Sequence, residues 1–131
     1  MKNNVEVLVL DDEEIVGERV KAHLEKNDYT VEVFTDSTNA LKRLDQKRFD
    51  VVVTDLKMKG PTGLDVLQFV RKRGGGTQVI MITGYPTVEA AREAEYADVV
   101  GFIEKPFQMN ALAALVKKAA KKASKLKGAE Q

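Results

Sequence analysis

The chain alternates between short apolar segments and longer segments in which apolar residues recur every three or four positions. The apolar segments predict five strands, at Val5–Leu10, Thr30–Phe34, Val51–Thr54, Val79–Ile82 and Val99–Ile103. The second segment alternates apolar and polar side chains, as an edge strand does. The third and fourth are continuous apolar runs, which are typical of strands covered on both faces.

Between the strands, apolar residues recur at helical spacing and predict five helices. The helices run from Glu13 to Lys26, from an N-cap at Asp36 or Ser37 through Leu44, across Leu64, Leu67 and Val70, from Thr87 to Tyr96, and across Leu112, Leu115, Val116, Ala119 and Ala123. This alternation favours parallel βαβ units with right-handed crossovers. The predicted fold class is α/β, a flavodoxin-like doubly wound parallel sheet of five strands in the order 2-1-3-4-5 with five helices.

Length and composition agree with a single globular domain. The chain has 131 residues, and 44% of them are hydrophobic, which is too many for a disordered chain. One domain typically takes about 100–200 residues. We place the domain at residues 1–123 and predict a disordered C-terminal tail from Ser124 to Gln131.

Composition also excludes several classes of function. The chain has no cysteine, which excludes disulfides and thiolate metal or redox sites. Its 21 Lys and Arg nearly cancel its 20 Asp and Glu, so a global basic field for nucleic acid is absent. No apolar run approaches the ~20 residues that span a bilayer, and no signal-peptide core is visible. We therefore expect a soluble cytoplasmic protein that binds neither nucleic acid nor membranes directly.

The carboxyl ends of the predicted strands carry the candidate chemistry, because ligands of an open parallel sheet bind beyond those ends. The first strand ends at Asp11 and Asp12, the third at Asp55, the fourth at Thr83 and the fifth at Lys105. Three carboxylates, one hydroxyl and one ammonium are therefore expected to share one crevice.

Three carboxylates in a partly buried crevice repel one another strongly, so either one becomes protonated or a cation joins them. Lys105 supplies one positive charge, and Mg²⁺ is the abundant oxygen-seeking cation that would supply the rest. Such a site is suited to stabilising a phosphoryl group. We expect Asp55, at the end of the central strand, to be the nucleophile that forms an aspartyl phosphate. Asp11 and Asp12 would then hold the metal, and Thr83 and Lys105 would bind phosphoryl oxygens.

These motifs resemble those of the receiver domain of bacterial two-component response regulators. The resemblance rests on Val-Leu-Val-Leu-Asp-Asp-Glu at 7–13, Thr-Asp-Leu-Lys-Met at 54–58, Ile-Thr-Gly at 82–84 and Glu-Lys-Pro-Phe at 104–107. It covers residues 5–120. It implies a phospho-acceptor switch rather than an enzyme, one that takes part only in its own phosphorylation and dephosphorylation.

The resemblance also implies partners. The phosphoryl group would come, with Mg²⁺ as cofactor, from the phosphohistidine of a sensor histidine kinase or from a phosphotransfer protein. Phosphorylation would then remodel the surface formed by the fourth helix, the fifth strand and the fifth helix. That surface would regulate an output domain or target protein, with transcription as one such output, and it would support a homodimer.

Position by position, the resemblance gives each residue of the crevice a role. Asp55 matches the phospho-acceptor, and Lys105 matches the lysine that pairs with the phosphoryl group. Thr83 matches the hydroxyl residue that moves toward that group, and Phe102 matches the aromatic switch residue. The bond from Lys105 to Pro106 matches one that is typically cis in this family.

The same comparison assigns the metal ligands and two tuning positions. Asp12 matches the direct Mg²⁺ ligand, Asp11 a neighbour that acts through water, and Lys57 the position whose backbone carbonyl binds the metal. Asp55 itself completes the expected set of metal ligands. Lys57 and Tyr85 also match positions that set how readily water attacks the phosphoryl group. We expect the bulky Tyr85 to shield that group and slow its hydrolysis. The run Met58-Lys59-Gly60-Pro61 departs from the family's usual Met-Pro-Gly, which affects the expected shape of the loop.

Two other kinds of protein share either these strand-end residues or this fold. Haloacid-dehalogenase-like phosphatases also use Asp, Thr or Ser, and Lys at strand ends, and this is the alternative function. They need Asp-x-Asp after the first strand and acidic ligands after the lysine. Here Glu13 stands two residues after Asp11, and no acidic residue lies between Lys105 and Glu130. A flavin-binding module needs a phosphate loop after the first strand, where the acidic run at 11–14 would repel the phosphate.

Overall fold

The computed structural model describes residues 5–84 and 98–129. The strands are β1 (Glu6–Leu10), β2 (Thr30–Phe34), β3 (Val51–Asp55), β4 (Gln78–Thr83) and β5 (Gly101–Glu104). The helices are α1 (Glu14–Glu25), α2 (Ser37–Gln46), α3 (Gly63–Arg73) and α4 (Met109–Ala129). Helix α4 is thus the fifth of the predicted helices. The fourth predicted helix, Thr87 to Tyr96, lies outside the described residues.

The five strands form one parallel sheet in the order β2-β1-β3-β4-β5, which confirms the predicted fold class. Val7 on β1 pairs with Val31 on one side and with Val51 on the other. The chain therefore leaves β1 toward one edge of the sheet and returns to build the other half from β3. A crevice opens beyond the carboxyl ends of the strands where the winding direction reverses.

Alternate side chains of the central strands enter two separate apolar layers. Val7 and Val9 pack on one face of the sheet against α1 and α4. Leu8 and Leu10 pack on the other face, where α2 and α3 cover them. All four of these side chains are fully buried. The two layers hold the strand ends rigidly, which is the condition for placing polar groups accurately at the crevice.

Two helices begin at the N-caps that their sequences favour. Of the two candidates for α2, Asp36 is the N-cap, and its carboxylate accepts a hydrogen bond from the backbone N–H of Thr38 at 2.8 Å. Helix α3 begins with a capping box in which Thr62 and Asp65 each bind the other's backbone N–H. This second cap orients the segment that follows β3.

Helix α4 continues to Ala129, whereas the sequence predicts a disordered tail from Ser124 onward. The residues around Ser124 are mostly alanine and lysine, which are strong helix formers, and Ala123 is fully buried. The domain boundary at residue 123 remains a prediction. Within the part of the chain that the structure covers, no helix is both long enough and apolar enough to cross a membrane.

Candidate functional site

The carboxylates predicted at the strand ends meet in one place. Asp11, Asp12 and Asp55 each offer an oxygen, and these oxygens all lie within 4.8 Å of one another. The ammonium nitrogen of Lys105, which follows β5, is 3.0 Å from Asp11 Oδ2 and 3.2 Å from Asp55 Oδ1. The parallel topology therefore brings four charged groups from three strands to a single point.

Burial divides the three carboxylates into two kinds. Asp11 is completely buried and Asp55 is only 6% exposed, whereas Asp12 is exposed. Adjacent residues at the end of a strand point in different directions, so one carboxylate faces inward and its neighbour faces solvent. A cation entering from solvent would meet Asp12 first and could retain water on that side.

Backbone contacts support each side chain of the site. The N–H of Asp11 donates to the carbonyl of Phe34 on β2 at 3.0 Å, which extends the sheet by one residue. The N–H of Leu56 donates to Ile82, and the N–H of Lys105 donates to Thr83, both at 2.9 Å. Asp11, Leu56 and Lys105 therefore continue the hydrogen bonding of the sheet just beyond the ends of their strands.

The turn after Asp55 is possible only because α3 begins with glycine. A Cβ at Gly63 would lie 2.5 Å from the carbonyl oxygen of Asp55 and 2.9 Å from Cα of Leu56. The N–H of Gly63 donates to the carbonyl of Leu56 at 2.8 Å. On the other side of this loop, the hydroxyl of Ser37 donates to the carbonyl of Lys59 at 3.2 Å. The carboxylate of Asp55 is thus followed by a tightly packed turn.

Burial and the neighbouring carboxylate of Asp11 together raise the pKa of Asp55 to about 8, although Lys105 opposes the shift. The pKa of Lys105 moves in the same direction. Burial of its ammonium would lower that pKa, but hydrogen bonds to Glu13 and Asp11 and the charges of Asp55 and Asp11 together raise it. Lys105 is therefore firmly protonated beside carboxylates whose negative charge exceeds its own.

One buried oxygen of the site lacks a hydrogen bond. Oδ2 of Asp11 is inaccessible to solvent and has no hydrogen-bond partner among the described residues. Nζ of Lys105 is 3.0 Å from this oxygen, so the two attract as charges without meeting in hydrogen-bond geometry. A buried carboxylate oxygen without a donor, beside two further carboxylates, fits a hard divalent cation such as Mg²⁺. The residues present thus form a suitable donor set for that metal.

A pocket of about 200 Å³ opens over these groups. Its lining consists of Asp12, Glu13, Asp55, Lys57, Ile82, Thr83, Gly84 and Lys105. Thr83 is 5% exposed, and Lys57 is exposed at the rim. The pocket is therefore lined by two of the three predicted carboxylates, Asp12 and Asp55, together with the predicted hydroxyl and ammonium, and it has room for a small anion next to Asp55.

Sequence reasoning overlooked one side chain of the site, that of Glu13. Its Oε1 lies 3.0 Å from Nζ of Lys105. In the sequence Glu13 stands within the 7–13 motif and at the start of the first predicted helix, but no role at the site was predicted for its side chain. The signal that could have found it is its place directly after the Asp11-Asp12 pair, at the turn into α1.

The structure describes part of the proposed switch. Phe102 lies on β5, where it pairs with Met81 and packs half-buried against the apolar layer beneath α3. The peptide bond from Lys105 to Pro106 is cis, as the resemblance implies. Tyr85 and the predicted fourth helix lie outside the described residues.

Comparison with known families identifies the domain. A family model for the response regulator receiver domain matches residues 7–117. The chain belongs to the response regulator receiver domain family. Members of this family are the phospho-acceptor switches of two-component systems, which agrees with the acidic crevice and does not favour the phosphatase alternative.

This receiver domain is similar to parts of longer regulators. It is 35% identical over 119 residues to an NtrX-like response regulator of Rickettsia typhi, which covers 89% of this chain and 25% of that protein. It is 28% identical to the transcriptional regulatory protein FixJ of Bradyrhizobium diazoefficiens, covering 89% of this chain and 57% of FixJ. The chain thus spans a quarter of the length of the NtrX-like relative.

Solved structures show the same fold. A response regulator receiver domain of Clostridium thermocellum superposes with a TM-score of 0.83 at 27% identity, over 93% of this chain and 98% of that one. NtrX of Brucella abortus, solved in complex with ADP, gives a TM-score of 0.81 at 26% identity over 93% of this chain and 28% of its own.

Proposed function

We propose that this receiver domain accepts a phosphoryl group on Asp55 in a Mg²⁺-dependent reaction in the cytoplasm. The donor is the phosphohistidine of a sensor histidine kinase or of a phosphotransfer protein. The observation that carries the proposal is the meeting of three carboxylates within 4.8 Å of one another beside the ammonium of Lys105. An acid cluster of this kind can hold a cation and still present one carboxylate as a nucleophile.

In the proposed reaction a carboxylate oxygen of Asp55 attacks the phosphorus of the donor. The bond from phosphorus to the imidazole nitrogen breaks, and the nitrogen keeps the electron pair. Asp11, Asp12, Asp55 and the backbone carbonyl of Lys57 would hold Mg²⁺, which when bound neutralises charge on the phosphoryl oxygens. The ammonium of Lys105 pairs with one of those oxygens and the hydroxyl of Thr83 donates to another.

The new charge on Asp55 biases a switch between two states of the domain. Thr83 moves toward the phosphoryl group, and Phe102, which packs on β5 half-buried, turns inward. The surface formed by the fourth predicted helix, β5 and α4 then changes its affinity for an output domain or target protein, or for a second copy of the chain. Transcription is one output, since FixJ and the NtrX-like relatives are named as regulators.

Lys57 and Tyr85 tune the lifetime of the phosphoryl group. Lys57 is exposed beside Asp55 in the pocket, and Tyr85 follows Thr83 by two residues. A bulky side chain at position 85 would exclude water from the line of attack. Tyr85→Ala is therefore expected to shorten the phosphoryl lifetime, measured as phosphate release from the purified phosphoprotein. An unchanged lifetime would remove Tyr85 from this role.

The donor protein reaches Asp55 along α1. The pocket of about 200 Å³ over Asp55 is called the acceptor pocket from here on. A second pocket, of about 340 Å³, shares Glu13 and Lys105 with it. Pro106, Phe107 and Met109 give this second pocket an apolar wall. Ile15, on the first turn of α1, is 68% exposed. An apolar patch that adjoins the acceptor pocket suits a protein that must place its phosphohistidine over Asp55.

The proposal is tested by weighing the intact protein after incubation with acetyl phosphate and Mg²⁺. We expect a gain of one phosphoryl group in the native chain, none without Mg²⁺, and none in Asp55→Ala. Asp45→Ala, an exposed aspartate on α2, is the matched control and should gain phosphate normally. A native chain that gains no phosphate, or a gain that survives in Asp55→Ala, would overturn the proposal.

A further inference from the structure

Lys105 contacts three carboxylates, and the proposed reaction uses only two of them. Its ammonium lies 3.0 Å from Asp11, 3.2 Å from Asp55 and 3.0 Å from Oε1 of Glu13. Asp11 and Asp55 belong to the cluster that could hold a metal ion, whereas Glu13 does not. Glu13 is therefore a partner of Lys105 that a bound cation would leave in place.

The backbone holds Glu13 in position for this contact. Glu13 is the N-cap residue of α1, and its carbonyl accepts from Val16 and Gly17. Its own N–H donates to Oδ1 of Asp11 at 2.8 Å. The side chain makes no capping hydrogen bond to the helix. Instead its carboxylate lies beside Lys105 in the lining of the pocket. The side chain therefore forms an ion pair in place of the capping hydrogen bond that is usual for an N-cap residue.

Charge balance determines what this ion pair does. If Asp11, Asp12 and Asp55 held a cation, it would compete with Lys105 for carboxylate oxygens and its charge would repel the ammonium. The ammonium would then pair mainly with the carboxylate of Glu13. An incoming phosphoryl group offers Lys105 new anionic oxygens, but it must draw Lys105 away from Glu13 to gain them.

We propose that Glu13 is a positioning residue that acts through Lys105 and competes with the phosphoryl group for its ammonium. This inference rests on the proposed phosphorylation of Asp55. Glu13 keeps the ammonium of Lys105 at the pocket when no phosphoryl group is present. It lowers the affinity of the domain for phosphoryl donors by the free energy of the Glu13–Lys105 contact, because that contact must break when a donor binds.

Two substitutions of Glu13 distinguish the effect of its contact with Lys105 from the effect of its negative charge. Glu13→Gln keeps the length of the side chain and removes its charge. Glu13→Asp keeps the charge near the pocket mouth but shortens the side chain by one methylene, so it can no longer reach Lys105. Glu14→Gln is the matched control, because Glu14 is also an exposed carboxylate at the start of α1 and lies outside the pocket lining.

The first measurement is the rate of Asp55 phosphorylation against acetyl phosphate concentration at fixed Mg²⁺. We expect Glu13→Gln and Glu13→Asp to lower the half-saturating concentration about two- to fivefold, the effect of losing one partly exposed ion pair. The maximal rate should change less, and Glu14→Gln should match the native chain. If Glu13→Asp behaves like the native chain, or if Glu14→Gln gives the same shift as Glu13→Gln, the effect is one of general charge and the inference fails.

The second measurement needs no phosphorylation. Brief acetylation by a lysine-directed ester at fixed pH, in the absence of metal, reports by peptide mass spectrometry how firmly Lys105 is held. We expect faster labelling of Lys105 in both Glu13 variants than in the native chain and in Glu14→Gln. Equal labelling would show that the contact does not hold Lys105. Altered labelling with unaltered kinetics would show that Glu13 holds the lysine without competing for it.

Failure of the proposed function has a different signature. If Asp55 accepts no phosphate, the native chain and every variant give no kinetics at all, while the labelling experiment still reports the contact. Competition at Lys105 is overturned separately, by normal phosphorylation of the native chain together with unshifted half-saturation in both Glu13 variants.

Discussion

Both carboxylate oxygens of Asp55 lie 3.2 Å from the ammonium nitrogen of Lys105, although 50 positions separate the two residues in the chain. Asp55 pairs with Ile82 on β4, and Thr83 pairs with Glu104 on β5. The residue that follows β5 is thereby brought over the end of β3. The contact is a product of strand order, and removing either partner has measurable consequences.

Lys105→Met should destabilise the metal-free protein. The buried carboxylates of Asp11 and Asp55 would lose their ammonium, and leaving buried polar groups unpaired costs about 1–3 kcal/mol. Urea unfolding in EDTA measures the loss, and Mg²⁺ should restore part of it by replacing the missing charge. Lys118→Met, an exposed lysine on α4, is the control and should unfold like the native chain. Equal midpoints for Lys105→Met and the native chain in EDTA would contradict the prediction.

Asp55→Asn should remove a pH dependence of stability. Burial raises the pKa of Asp55 to about 8 in the folded protein, whereas an unfolded aspartate has a pKa near 3.9. Between these values the folded state holds a proton that the unfolded state has lost. Its contribution is therefore fully present below about pH 4 and falls as pH rises toward 8.

The asparagine variant is neutral throughout that range. We expect it to be more stable than the native chain at pH 8 in EDTA, with a smaller difference near pH 5, as measured by urea unfolding at each pH. Asp45→Asn, on the exposed surface of α2, should leave the native profile unchanged. A constant difference between Asp55→Asn and the native chain across this range would show that Asp55 does not titrate there.

Gly63→Ala should disturb both stability and the acceptor turn. The added Cβ would lie 2.5 Å from the backbone oxygen of Asp55, a fixed atom that cannot rotate away. Overpacking of this kind costs about 1–3 kcal/mol, and a displaced Asp55 should phosphorylate more slowly with acetyl phosphate. Gly84→Ala is the control for stability, because a Cβ there meets no atom within 4 Å in the described part of the chain. Native stability in Gly63→Ala would show that the turn can move.

Ile15→Asp should separate protein donors from small-molecule donors. The substitution replaces an exposed apolar side chain on the first turn of α1 with a charged one, so it should slow transfer from a phosphorylated sensor kinase that serves the native chain at least tenfold. Phosphorylation by acetyl phosphate should stay unchanged. Leu126→Asp alters the other large exposed apolar side chain in the described part of the chain and is the control. If both variants accept phosphate from the kinase normally, the donor binds elsewhere.

Much of the fold follows from local patterns. β2 has the predicted bounds, Thr30–Phe34, because an alternating segment between turns is visible in the residues themselves. β5 differs, since it begins at Gly101 and not at Val99. Its start depends on pairing with Ile80 on β4, which is a property of the neighbouring strand and not of the segment.

The sequence by itself determined which residues stand at the strand ends, because side-chain periodicity reveals where strands stop and parallel topology then gathers those ends at one edge. That was sufficient to bring Asp11, Asp55 and Lys105 together in prediction. Only the tertiary structure decided that Asp11 is buried while its neighbour is exposed, and that Glu13 reaches Lys105. Burial and pairing depend on what packs around a group, and that information is spread over elements distant in the chain.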